Sequence, residues 1–151
     1  MKTTEFAYKA YIAAPAQRVW EALVRPEFTR KYWGHENVSD WRPGSRWEHR
    51  AAYTDEIEFV GRVIECDPPH RLVMTWADPG SQEPYDAQSR VSIEVESVEE
   101  MALITVRHDR LTAGSHLQHD AEDGWPRVLS SLKSLLETGR PLPPLAAKAT
   151  R

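Results

Sequence analysis

Apolar and polar residues alternate through most of the chain, and a different rhythm takes over near the C-terminus. Over residues 4–13, Phe6, Tyr8, Ala10 and Ile12 share one face of an extended strand, and Glu5, Ala7, Lys9 and Tyr11 share the other. The same period recurs downstream. Residues 45–53 set Trp47, His49 and Ala51 against Arg46, Glu48 and Arg50, and residues 57–66 set Phe59, Gly61 and Val63 against Glu58, Val60 and Arg62. Residues 70–77 align Leu72, Met74 and Trp76; residues 90–97 align Val91, Ile93 and Val95; residues 101–110 align Ile104, Val106 and His108. Proline and glycine punctuate these runs at Trp41-Arg42-Pro43-Gly44, at Asp67-Pro68-Pro69 and through the 78–87 loop. Sequential strands joined by short turns predict an antiparallel meander with one wet face.

Two segments follow a helical period. After Pro15, Val19, Trp20 and Leu23 mark a short helix that Arg25-Pro26 breaks, and Phe28 and Tyr32 mark a second one starting at Pro26. Near the C-terminus, Trp125, Val128, Leu129, Leu132, Leu135 and Leu136 form one stripe that stops at Gly139 and Pro141. Residues 117–123 are polar and leave the start of this helix open. Either it begins near His116, with a bend at 124–126 around Pro126, or it begins near Asp123 with Pro126 in its first turn. The first reading is preferred. A wide apolar stripe needs a cover, and the strands supply the only large surface.

The chain of 151 residues is expected to make one domain over residues 1–142, with a frayed tail at 143–151. A net charge of −4 without a long basic run argues against a nucleic-acid partner. The single Cys66 allows no internal disulfide, and no apolar run suits a signal peptide or a membrane span, so a cytoplasmic protein is expected. Six tryptophans and five tyrosines are either large core filler or the wall of an apolar pocket.

The order of elements, together with four stretches, resembles a known family. Residues 12–23 (Ile-Ala-Ala-Pro-Ala-Gln-Arg-Val-Trp-Glu-Ala-Leu), residues 67–76 (Asp-Pro-Pro-His-Arg-Leu-Val-Met-Thr-Trp), the 41–45 turn and the 124–139 helix carry the likeness. They resemble the START/birch-pollen-allergen (SRPBCC) superfamily, in the branch of the activator of the heat-shock-protein-90 ATPase (AHSA-like). The resemblance implies an α+β helix-grip fold. A curved antiparallel sheet of about six to seven strands would wrap a long C-terminal helix, with two short helices after the first strand. The superfamily spans ligand-binding proteins, polyketide cyclases and chaperone partners, so it transfers a fold and no single activity.

The site is therefore argued from residues. By parity, the ligand-binding candidates are Tyr8, Trp33, Trp47, His49, Phe59, Met74, Trp76, Val106, His108, Trp125 and Leu129. Trp125 and Leu129 are expected to face the ligand, and Leu132 and Leu136 to pack as core. Gly61, in mid-strand, leaves room for sheet bending or for internal space. His49 and His108 fall on the inner face, where they are either a working acid–base pair or two separately satisfied core histidines. Metal binding is not expected, since Cys66 sits on the other parity and zinc wants three or four ligands. His116 and His119 read as a solvated face. No phosphate loop, Ser-His-Asp arrangement or His-Glu-x-x-His motif occurs.

The reading that results is a binding protein for a small apolar or aromatic molecule held between sheet and helix. It expects no cofactor, nucleic acid or membrane, and leaves a homodimer open. A cyclase- or hydrolase-like enzyme using a cavity histidine is the alternative, and a chaperone-interacting protein is a weaker one.

Overall fold

The computed structural model describes residues 2–143. The expected frayed tail therefore lies, from residue 144 onward, outside the described residues. The elements follow the order β1 (Thr3–Ile12), α1 (Ala16–Val24), α2 (Pro26–Trp33), β2 (His35–Ser39), β3 (Arg46–Ala51), β4 (Ile57–Asp67), β5 (Arg71–Trp76), β6 (Ser89–Val98), β7 (Met101–Thr112) and α3 (His116–Thr138). All seven strands form one antiparallel sheet in the order β1-β7-β6-β5-β4-β3-β2. The meander thus runs from β2 to β7, and β1 closes its far edge by pairing with β7, for example Tyr8 opposite Val106. The two short helices carry the chain from one edge to the other.

The strand β2 has no counterpart among the sequence-predicted elements. Its segment His35-Glu36-Asn37-Val38-Ser39 has one apolar residue and shows no alternation, yet Asn37 is buried. Pairing with β3, and not burial of an apolar face, makes it a strand.

The long helix begins at His116, ten residues before Pro126, so the alternative start near Asp123 is excluded. Ser115 caps it by accepting a hydrogen bond from the Gln118 N–H at 3.2 Å, and Gly139 ends it in the left-handed region at φ 85°. Pro126 has no N–H to give the carbonyl one turn back. Burial of Ala121, Trp125, Leu129, Leu132 and Leu136 holds the helix through that gap. The stripe packs against β1 and β7 and against both short helices. Ile12, Ile93, Ile104, Val106, Leu129 and Leu132 are at most 2% exposed and form the centre of the core.

One device interrupts the sheet. β4 and β5 pair at Val60–Ala77 and at Val63–Met74, but between these points side chains replace ladder bonds. The Arg62 N–H donates to Thr75 Oγ1 at 2.9 Å, and the Trp47 indole N–H donates to the Thr75 carbonyl at 2.7 Å. Trp47 lies directly opposite Gly61 in the β3–β4 register and is fully buried. The missing side chain at Gly61 therefore makes room for an indole and a carbonyl rather than for a ligand.

Candidate ligand-binding cavity

A cavity of about 910 Å³ opens between α2, α3 and the inner face of β3, β4, β5 and β7. It sits near the top of the usual range for small-molecule sites, roughly 300–1,000 Å³. Each wall element brings an aromatic ring: Trp33 from the end of α2, His49 from β3, Phe59 from β4, Trp76 from β5, His108 from β7 and Trp125 from α3. Those six are among the eleven candidates read from the sequence. The other five, Tyr8, Trp47, Met74, Val106 and Leu129, do not line it. Trp47, Met74, Val106 and Leu129 share the inward parity but are at most 1% exposed inside the packed core. Tyr8 packs against that core from β1, which pairs with β7 at the sheet edge away from β3 and β4.

The helix contributes more of the wall than its apolar stripe announced. Leu117, Ala121, Gly124, Val128 and Ser131 line the cavity at alternating steps of four and three, one continuous face of α3. The spacing is visible in the sequence, but small and polar residues hide it from a search for large apolar ones. His35 and Glu58 also line the wall, as do residues 141–143 beyond the helix. The Leu142 N–H donates to Ser131 Oγ at 3.1 Å, which folds this segment back along α3 to the cavity rim.

The rings form one connected cluster, in which His49 lies 4.9 Å from Trp33 and 5.3 Å from Trp76. Trp33, Trp76 and Trp125 touch one another at centroid separations of 6.3, 5.4 and 5.5 Å, one pair stacked and two at steep angles. Such arrangements suit the aromatic quadrupole. Beside them, His35 and His49 stack at 4.2 Å with 9° between their planes.

The two buried histidines are not a pair. The Trp125 indole, a donor only, gives its N–H to His108 Nδ1 at 3.1 Å. His108 Nδ1 is thus the acceptor, and its Nε2 carries the proton towards Ser89 Oγ at 3.0 Å. The Ser89 hydroxyl in turn donates to the Trp76 carbonyl. Each proton in this relay has one place to go. Adding a proton at Nδ1 would oppose two donors, and burial pushes the imidazole down to about 4, against a smaller upward pull from Asp109. His108 is a fixed neutral strut between helix and sheet.

His49 is bound differently. Its Nδ1 lies 2.6 Å from Asn37 Oδ1 on the neighbouring strand. Burial holds its pKa well below the ordinary value of 6.5, with a further push from His35. His35 is itself clasped between two acceptors, the Trp33 carbonyl at 3.1 Å and the Glu58 carboxylate at 2.8 Å.

Little else among the described residues suggests chemistry. Cys66 is half-buried, and its thiol is pushed up by burial and by Asp67, the wrong direction for a nucleophile. Among the described residues no cluster of three or more His, Cys, Asp or Glu side chains could hold a metal ion. Nor is any described helix long and apolar enough to cross a membrane.

An open antiparallel sheet gripping one long helix over a ring-lined cavity defines the helix-grip class of SRPBCC-type proteins. Within that class, the model of the family "Activator of Hsp90 ATPase homolog 1-like protein" matches residues 13–137, and the chain belongs to that family. Solved structures repeat the fold. The crystal structure of CalU16 from Micromonospora echinospora is 21% identical with a TM-score of 0.73, over 98% of this chain and 83% of that one. The Aha1 dimer from Colwellia psychrerythraea is 19% identical with a TM-score of 0.74, over 90% and 98%. An HSP90 activator from Plasmodium falciparum is 19% identical with a TM-score of 0.71, over 87% and 95%. At these identities the likeness carries the fold alone. No curated protein sequence matches the chain.

Proposed function

We propose that this protein binds a small apolar or aromatic molecule in the cavity between the sheet and α3. The observation that carries the reading is the wall itself: at least one ring from each of six elements around about 910 Å³, with Trp33, Trp76 and Trp125 in mutual contact. A chain that needed only a core would close this space with the leucines it already places further along the helix. Flat rings offer van der Waals contact and apolar area to a flat guest, and a fully covered aromatic ring is worth on the order of 2 kcal/mol or more.

The enzyme alternative loses one of its two histidines, because both nitrogens of His108 are committed to structure. A chaperone-partner role draws on the names of relatives and ranks below a reading built on this chain's own residues. Self-association is a secondary proposal prompted by the Colwellia dimer, and a monomer mass in light scattering would remove it.

Gly124 supplies the experiment. It lies on α3 at the cavity wall, and a Cβ built there meets nothing within 4 Å. Replacing a helical glycine gains up to about 1 kcal/mol in helix propensity. Gly124→Leu should therefore raise thermal stability while filling the guest's space. Calorimetric titration with flat apolar probes should show binding to the natural chain and at least tenfold weaker binding to the variant. Absence of binding by the natural chain up to the probes' solubility would overturn the proposal.

A further inference from the structure

Cavity walls are informative where a polar atom is buried and unspent. The Tyr32 hydroxyl is spent on the Ala22 carbonyl at 2.8 Å, and both His108 nitrogens are spent in the relay to Ser89 and Trp125. Both His35 nitrogens face protein acceptors.

On the buried residues of the wall, two polar atoms remain. Asn37 Oδ1 can only accept, so His49 Nδ1 carries the ring proton and His49 Nε2 presents a lone pair. Neither His49 Nε2 nor the Trp76 indole N–H has a hydrogen-bond partner among the described residues. His49 is 2% exposed and Trp76 5%. Gln88 Oε1 is the one fully occluded side-chain atom left without a partner among the described residues, so these two atoms are not fully occluded, and both residues line the cavity. The rings that carry them are 5.3 Å apart, centroid to centroid. One is an acceptor and the other a donor.

We propose that the cavity selects a flat aromatic ligand bearing a hydroxyl group, with the hydroxyl donating to His49 Nε2 and accepting from the Trp76 indole N–H. The inference rests on the ligand-binding reading and names its ligand class. A hydroxyl is the smallest group that satisfies both atoms at once. A ketone or ether can only accept and leaves the imidazole lone pair desolvated; an N–H heterocycle of the indole type can only donate and leaves the indole N–H desolvated. A buried polar atom left unmatched costs more than a matched one gains, so discrimination comes mainly from rejection. Burial keeps His49 neutral and hence an acceptor across the neutral range.

The probes are 2-naphthol and 2-methoxynaphthalene, titrated calorimetrically against the full chain at neutral pH. The ether is the more apolar of the two, so hydrophobic transfer alone favours it. The expected result is binding of the naphthol about tenfold tighter, the scale of one hydrogen bond. His49→Asn keeps a donor for Asn37 and takes the acceptor away from the Nε2 position, because the shorter amide does not reach it, and it should collapse the preference to within about twofold. In the natural chain, nitrogen NMR should show the His49 Nε2 resonance shifting with the naphthol and not with the ether. This second measurement stands even where His49→Asn fails to fold. Equal affinities, or a preference that survives His49→Asn, would overturn the inference and leave the cavity reading intact. Failure of both probes to bind would overturn the two together.

Discussion

Gly61→Ala adds a single methyl group where the sheet has no room for one. A Cβ at this position overlaps the Thr75 carbonyl oxygen and the Trp47 indole nitrogen, and it comes within 2.7 Å of the Thr75 carbonyl carbon. Two of these three atoms are backbone, so no rotamer change relieves them. Either β5 moves away or the indole leaves. Losing the Trp47–Thr75 bond orphans a buried donor and a buried acceptor, a cost of about 1–3 kcal/mol. Overpacking adds about 1–3 kcal/mol, and the stiffer unfolded chain returns roughly 0.5 kcal/mol. The net expectation is a loss of roughly 2–5 kcal/mol. In equilibrium urea unfolding with an unchanged slope, the midpoint should fall by about 1–2 M. Trp47→Phe removes the indole N–H but leaves the carbonyl clash, so Gly61→Ala should stay costly in that background. A midpoint within about 0.3 M of the natural chain would refute the account of Trp47 as a wedge in the β4–β5 ladder.

Two further outcomes follow from the His108 relay. The imidazole titrates near 4 when folded and near 6.5 when unfolded, so between these values the unfolded chain holds the extra proton. Stability is then complete above about pH 6.5 and falls as pH drops to about 4, by roughly 3 kcal/mol from this group. His49 acts in the same direction. Thermal melts across that window should show the decline, and a flat profile would contradict the buried neutral ring. Trp125→Phe frees His108 Nδ1 from its donor, so the folded-state pKa of His108 should rise above about 4 in an NMR titration. An unchanged value would mean that the indole bond does not hold the tautomer.

Much of the fold is legible because the sheet has one wet face. The alternation in β3, β6 and β7 assigns each side chain to the correct side, and the α3 stripe announces its own cover. The site is less legible, because alternation names a face and not a level along the strand. Trp47 and His49 share a face, as do Met74 and Trp76, or Val106 and His108. In each pair the first is sealed in the core and the second lines the cavity. Only the three-dimensional register separates them. The polar members of the wall, His35, Glu58 and Ser131, carry no apolar signal at all. Gly61 shows the limit from the other side: an absent side chain marks space, but its neighbours decide what fills it.

The contact among Trp33, Trp76 and Trp125 has an optical consequence. At centroid separations of 5.4–6.3 Å their excited states are not independent. Trp47 joins them, 4.8 Å from Trp76, so emission and near-ultraviolet dichroism will arise from four coupled indoles, with Trp20 and Trp41 contributing a background. A guest that touches one of these indoles will alter the signal of the whole set. The protein thus carries an intrinsic reporter of occupancy, and that reporter is blind to pose: spectral change will register that the cavity is filled without indicating which ring the guest has met.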